Sequence, residues 1–253
     1  MLIECSQLDV NAGGRTLIRA LSFTAGAGNL LAVLGPNGAG KTLLLHTLAG
    51  LRGPANGVVK VQNRMIDDWP KRELARELAL LPQNLEDPFP ATVLDTVLLG
   101  RHPHISRWRW ESEDDVAIAR AAIDSVGLRN YEDRDVFTLS GGERRRAAIA
   151  AVFAQTPRIF LMDEPTNHLD PSHQLEALQL LRERADAGAA VIVTIHDANL
   201  AERFADMALL IYPEGTWVHG GTQETLTAGN LSKLYDTSFA SMEHGGRRIF
   251  YQS

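Results

Sequence analysis

The 253-residue chain, 45% hydrophobic, is long enough to bury one sizeable core with room for a smaller lobe. Its 25 basic residues against 31 acidic ones leave a net charge of -6, which excludes a general electrostatic pull toward nucleic acid or anionic lipid. The single cysteine, Cys5, rules out an internal disulfide and suits a reducing cytosol. Met1 to Ser6 lacks the cationic-then-apolar layout of an export signal. The longest apolar runs, Ala147 to Ala154 and Ala189 to Ile195, fall far short of the roughly 20 residues that cross a bilayer. A protein soluble on its own is expected.

Residues 1–28 alternate apolar and polar positions (Leu2, Glu4, Leu8, Val10, then Leu17, Ile18, Leu21, Phe23) around Asn11-Ala12-Gly13-Gly14, the pattern of a hairpin with one solvated face. A small β lobe is expected there. An apolar strand, Leu30 to Leu34, then runs into the turn Gly35-Pro36-Asn37-Gly38-Ala39-Gly40-Lys41-Thr42 and a leucine-rich helix over Thr42 to Ala49. The octet fits G-x-x-x-x-G-K-[ST]: backbone N–H groups wrap the phosphates, the lysine reaches the outer phosphates and the hydroxyl ligates Mg²⁺. Glycine is needed because a Cβ would block the close approach, and the helix start adds free amides and its positive dipole end. The spacing of Gly35, Gly38 and Gly40 is not G-x-G-x-x-G, so a dinucleotide fingerprint is excluded. A nucleoside triphosphate is the expected ligand.

Further on, Gly50 to Gly57 is punctuated by glycine and Pro54, and Val58 to Val61 reads as a strand. A short helix over Lys71 to Arg76 precedes an apolar strand, Leu78 to Leu81, that ends at Pro82-Gln83. Residues 84–138 change character: a proline-rich entry (Pro88, Pro90), a helix from Thr92 to Leu99, the basic loop Arg101 to Trp110, and a helix that Ser112 caps with Asp115 reaching back and Gly127 ends. A further helix starts after Leu139-Ser140-Gly141-Gly142 and runs to about Ala154, completing a helical insertion over residues 84–154. From Arg158 strands and helices alternate: Ile159 to Met162, Ser172 to Ala187, Ala190 to Ile195, Asn199 to Ala205, Ala208 to Tyr212. Such alternation predicts an α/β fold with a mainly parallel sheet covered by helices, residues 1–83 and 155–253 forming the catalytic core and β lobe. Leu226 to Phe239 reads as a helix ending near Tyr235, and Arg247 to Tyr251 as an edge strand. No function attaches to either.

Ile159 to Met162 delivers Asp163 and Glu164 at a strand's carboxyl end, where parallel sheets place their ligands. Neighbouring acids on an extended chain point apart, so Asp163 can hold the Mg²⁺ shared with Thr42 while Glu164 orients or deprotonates the attacking water. Leu139-Ser140-Gly141-Gly142-Glu143 is a second glycine-rich helix start, again suited to phosphate oxygens.

Phosphate loop, Gln83 after a strand, LSGGE, Asp163-Glu164, Asn167-His168-Leu169-Asp170 and His196 after the next strand, in that order over essentially the whole chain, resemble the nucleotide-binding subunits of ABC transporters. The resemblance implies an ABC-type P-loop NTPase with an N-terminal antiparallel β lobe and an inserted helical subdomain. It implies that Gly35 to Thr42 bind the phosphates of ATP, and that Thr42, Gln83 and Asp163 attend Mg²⁺. Glu164 would be the general base, Gln83 the sensor of Mg²⁺ and attacking water, and His196 the γ-phosphate switch. Ser140, Gly141 and Gly142 would address ATP held by a second copy in a head-to-tail dimer, with Asp170 communicating between the two sites.

Pro88 to His104 looks like the matching region of bacterial importer ATPases for iron-siderophore, heme and cobalamin uptake. That likeness implies transmembrane permease subunits, a substrate-binding protein, and a peripheral place on the cytoplasmic face of the cell membrane, with no nucleic-acid partner. Rival readings are a soluble ABC ATPase of translation or DNA repair, against which stand the single domain and the lack of a heptad tract, and a small-molecule phosphotransferase, which leaves LSGGE, Gln83 and His196 idle. Two departures from the family pattern stand out. The turn at Asn11 to Gly14 carries no aromatic to stack on adenine, Arg15 being a candidate substitute. The signature continues Arg144-Arg145-Arg146 where many relatives have a middle glutamine, and a solvated helix face is expected there. His102 and His104 are read as loop residues rather than metal ligands, and Trp108 and Trp110, between Arg107 and Arg109, as side chains folded over the helical lobe rather than facing a membrane or permease.

Overall fold

The computed structural model describes residues 1–84, 90–106 and 110–253. Pro88 and the Arg107, Trp108 and Arg109 readings therefore lie outside the described residues, while Trp110, expected to fold over the helical lobe, is instead 90% exposed. The chain opens with β1 (Ile3–Ala12) and β2 (Arg15–Ala25), an antiparallel hairpin turned by Gly13 and Gly14 at positive φ. Then come β3 (Leu30–Leu34), the phosphate loop and α1 (Lys41–Leu48). β4 (Asn56–Val61) and β5 (Arg64–Met65) complete a four-stranded antiparallel sheet in the order β2-β1-β4-β5, which is the expected β lobe. α2 (Lys71–Glu77) leads into β6 (Leu78–Leu81).

The helices α3 (Val93–Leu98), α4 (Glu113–Ser125) and α5 (Gly141–Ala154) pack on one another. Each begins with a complete capping box: Thr92 with Asp95, Ser112 with Asp115, Ser140 with Glu143. Such caps satisfy amide donors that a helix start leaves orphaned. Arg101, expected in a basic loop, is instead buried. Its guanidinium donates to Asp115, the Ala154 carbonyl and Thr156, so it pins the start of α4 to the end of α5.

The remainder alternates as expected: β7 (Ile159–Met162), α6 (Pro171–Asp186), β8 (Ala190–Thr194), α7 (Ala198–Phe204) and β9 (Met207–Ile211). β10 (Trp217–Gly221) follows, and then α8 (Thr222–Thr225) and α9 (Ala228–Tyr235). The central sheet runs β10-β9-β3-β8-β7-β6, parallel except for β10, an edge strand that the sequence reading missed. Two glycines in Trp217 to Gly221 lower its strand propensity, and pairing with β9 overrides them. Arg247 to Tyr251 also finds a partner: β11 (Phe239–His244) and β12 (Arg247–Gln252) form a hairpin pinned to α7 by Asn199 on the Phe250 backbone and by Arg248 on Glu202.

β3 shows why the central strands read as unbroken apolar runs. Leu30, Ala32 and Leu34 face the core shared with α5 and α6, while Leu31 and Val33 face the core beneath the β lobe and α1. A strand buried on both faces has no polar position to alternate with. The two-sided core fixes the carboxyl ends of β3, β7 and β8 side by side, and the functional residues emerge from those ends.

Candidate functional site

The phosphate loop leaves β3 at Gly35, where a Cβ would lie 2.7 Å from the Ile211 carbonyl, so the close approach to β9 demands glycine. It enters α1 at Gly40, whose φ of 97° is open to glycine and costly for other residues. Gly40 offers no side-chain cap, so the first amides of α1 stay available to an anion. Lys41 is buried and folds back over the loop, its Nζ donating to the carbonyls of Gly35 (2.7 Å) and Pro36 (3.2 Å). Burial lowers its pKa, and the nearby carboxylates of Glu164 and Asp163 work in the opposite direction. Asn37, Gly38, Lys41, Thr42, Gln83 and Glu164 line a cavity of about 310 Å³ at this point.

Glu164 faces that cavity from the exit of β7, with its backbone at φ 48°, in the left-handed region that a non-glycine residue occupies only where its surroundings hold it. Thr194, the last residue of β8, supplies the hold. Its Oγ1 accepts the Glu164 N–H at 2.7 Å and donates to Asp163 Oδ1 at 2.7 Å. Gln83 (2.9 Å) and Asn167 (2.6 Å) donate to Oε2 of the Glu164 carboxylate, and His196 donates to Oε1 from Nε2 at 2.6 Å. The carboxylate is aimed by three donors from three separate strand exits. For Glu164 to take a proton from water, one donor must yield its place to that water.

The structure thus brings Lys41, Thr42, Gln83, Asp163, Glu164 and His196 to one place. Thr194 went unremarked in the sequence reading, although a polar residue closing the run Ala190-Val-Ile-Val-Thr194 was the available signal; Asn167 was quoted in a motif without a role. Asp163 is fully buried, and its Oδ2 has no hydrogen-bond partner among the described residues. A buried carboxylate oxygen left free next to the Thr42 hydroxyl's cavity fits a divalent cation. Among the described residues no three His, Cys, Asp or Glu side chains converge elsewhere as a metal site, and His104 is committed to the Gln155 carbonyl at 2.9 Å, in keeping with its reading as a loop residue.

Ser140, Gly141 and Gly142 do not line the phosphate-loop cavity described here. They open α5 against the Asn167 to Asp170 turn, where a Cβ on Gly142 would meet the His168 carbonyl at 3.4 Å. Asp170 caps α6, accepting from the His173 N–H at 3.0 Å and lying 2.8 Å from His173 Nδ1, contacts that hold its carboxyl below the ordinary range. Arg15 donates to the Pro213 carbonyl and stands exposed at the end of the β lobe.

The expectation that Arg144 to Arg146 form a solvated helix face is corrected. Arg145 is 2% exposed and turns inward beneath the catalytic strands, and Arg144 and Arg146 are half-buried. On α5, position 145 falls on the side that faces the sheet rather than the side that faces water.

Residues 18–167 match the family model described as ABC transporter. The chain belongs to the ABC transporter family. Its ABC ATPase character extends beyond the matched segment: it is 40% identical over 96% of its length to the hemin import ATP-binding protein HmuV of Streptomyces coelicolor, covering 86% of that protein. It is 38% identical over 90% of its length to the ferric enterobactin transport ATP-binding protein FepC of Escherichia coli, covering 85% of it. A structure described as an inward-facing ABC transporter of metal-chelate type superposes with a TM-score of 0.85 at 29% identity, over 99% of this chain and 96% of that one. A dimeric bacterial ABC transporter cassette superposes with a TM-score of 0.75 at 25% identity, over 87% and 99%. This ABC ATPase binds ATP, and no helix among its described residues is long and apolar enough to cross a membrane.

Proposed function

We propose that the chain is the motor of an importer for an iron-siderophore, heme or cobalamin type chelate, two copies closing head to tail on two ATP molecules and reopening after hydrolysis. The hemin and ferric enterobactin names of the relatives, with the metal-chelate structural neighbour, support the cargo class. In each site Gly35 to Thr42 would hold the phosphates of one copy's ATP, and Ser140, Gly141 and Gly142 of the other copy would close over them. The observation that carries this reading is the second glycine-rich helix start, built for phosphate yet absent from the lining of its own chain's phosphate cavity.

Thr42 and Asp163 would hold Mg²⁺ with Gln83 nearby, and the ion would neutralise charge on the β and γ phosphates. Glu164 would accept the proton of the attacking water, Gln83 and His196 moving from the carboxylate to the water and γ phosphate respectively. Asp170, capping α6 beside the signature loop, would relay between the paired sites. The inserted helices, residues 84–154, form the lobe that meets the permease. An apolar groove of about 320 Å³ between β6, α3 and α5, edged by the 71%-exposed Leu99, would take a short helix of that subunit. With a substrate-binding protein on the other side, the assembly would place this chain on the cytoplasmic face of the membrane.

Glu164→Gln tests the assignment: it keeps the side chain's shape and one acceptor oxygen for Gln83 and Asn167, and removes the base. ATP binding should survive, turnover should fall by roughly 10² or more, and an ATP-bound dimer should accumulate. A variant that hydrolyses at the normal rate would remove Glu164 as the base.

A further inference from the structure

Arg145 is an unusual buried cation. All five N–H donors of a guanidinium are in play, and each faces a backbone carbonyl rather than a carboxylate. Nη1 donates to Pro82 (2.8 Å) and Gln83 (3.1 Å), and Nη2 to Asp163 and to Glu164 (2.8 Å). Nε reaches Pro165 at 3.4 Å. These carbonyls belong to two stretches of chain, the exit of β6 that carries Gln83 and the exit of β7 that carries Asp163 and Glu164. The two strands are parallel neighbours. The planar fork of the guanidinium fills the gap where they diverge, and fixes the backbone on both sides of the Gln83 to Glu164 hydrogen bond.

The same helix carries Ser140 at its start. Five residues of α-helix span about 7.5 Å, a distance over which a helix moves as one body. Arg145 is therefore a rigid lever away from the signature serine, with its far end gripping the strand exits that aim the water-activating carboxylate. Burial lowers its pKa to about 10, and the neighbouring Asp163 and Glu164 offset part of that cost, so it remains a cation at neutral pH.

We infer that Arg145 is a positioning residue that couples the signature loop of a chain to that chain's own Gln83 and Glu164, so that engaging the partner's nucleotide adjusts the chain's own hydrolytic site. The inference rests on the shared-site reading above and adds to it the connection inside one chain. Without such a link, the two ATP sites of a dimer would share surfaces but fire independently. A guanidinium is suited to the task because it alone among side chains offers five donors in a fixed plane; glutamine offers two and lysine three. Replacing it leaves buried carbonyls unpaired on both strands, and the carboxylate loses its common reference with the helix.

The test is ATPase titration of the full chain and of Arg145→Gln, with nucleotide affinity measured separately using a non-hydrolysed ATP analogue and folding monitored by thermal melting. The wild type should show a Hill coefficient near the two-site ceiling, about 2, and Arg145→Gln one near about 1. The variant's kcat should fall by roughly tenfold or more while the affinity of its phosphate loop changes little. Arg145→Lys, which keeps the charge and three donors, should recover part of both, and it carries the test if Arg145→Gln does not fold. A residue that merely stiffened the core would lower the melting temperature without touching the Hill coefficient. A cooperative wild type with equally cooperative Arg145→Gln, or equally cooperative Arg145→Lys where the first does not fold, would overturn the inference and leave the shared site standing. A non-cooperative wild type would likewise overturn the inference, while the shared site itself fails only if a mixture of Lys41→Ala and Ser140→Arg chains stays as inactive as its components.

Discussion

The starts of α1 and α5 are both glycine-rich and both suited to anions, but they are built on opposite plans. At α1 the capping position is Gly40 in a left-handed conformation with no side chain to spend on the helix, and its amides are open. At α5 the capping position is Ser140, which accepts the Glu143 N–H at 3.2 Å while the Glu143 carboxylate accepts the Ser140 N–H at 2.8 Å. The first leaves its backbone amides open beside the Lys41 side chain. The second is a finished helix cap that happens to leave Gly141 and Gly142 without side chains between its amides and an approaching anion. α4 sharpens the contrast, because Ser112 and Asp115 form the same box with no glycine behind it. The capping box holds the helix start in both, and the glycines set apart the one to which the proposed shared site assigns phosphate.

That contrast ranks the consequences of breaking each start. Lys41→Ala strikes the cradle itself, removing a cation that also ties the loop to the Gly35 and Pro36 carbonyls. Both ATP binding and turnover should fall by roughly 10² or more in equilibrium binding and steady-state assays. Ser140→Arg strikes the second start, and should leave ATP binding to the monomer intact while turnover drops to background, since a bulky cation would stand where the partner's nucleotide must seat. A full rate at high dilution would break the comparison.

The effect of Asp115→Asn should be smallest and confined to stability. Asp115 has its pKa lowered to about 2, first by the Ser112 hydroxyl and then by Arg101. A depressed carboxylate stabilises the fold above its unfolded pKa of about 3.9, and that contribution is lost as pH falls toward about 2. Melting temperatures of wild type and Asp115→Asn should differ at neutral pH and converge near pH 2, with ATPase activity of the variant close to normal.

Much of this was legible because it is written in contiguous residues. The phosphate octet, the box at Ser112, the glycine-rich start after Ser140, the carboxylates after β7 and the alternation of strand and helix each occupy a few neighbouring positions with fixed periodicity. What escaped lies in contacts between distant segments. Thr194 holds Glu164 from the end of a different strand, and one hydroxyl closing an apolar run carries no sign of which backbone it will meet. The three arginines of α5 look alike in sequence; only the stacking of β6 beside β7 decides that Arg145 is the one drawn inward. Arg101 was misjudged in the same way, as its partner Asp115 was visible in the sequence only as a cap. β10 and β11 were missed because Gly220-Gly221 and the polar Ser241-Met-Glu-His244 weaken the strand pattern, which antiparallel pairing with the neighbouring β9 and β12 overrides.

The account stands or falls on whether one active site needs two chains, and mixing two dead variants measures that directly. A Lys41→Ala chain lacks the cradle but keeps its signature serine, and a Ser140→Arg chain keeps the cradle but lacks the serine. In an equimolar mixture half of random pairs are mixed and hold one whole site each, so ATPase activity should reappear above both components, up to a ceiling of roughly a quarter of the wild-type rate. A mixture as inactive as its separate components would contradict the shared site and point to a cradle and signature that serve the same chain.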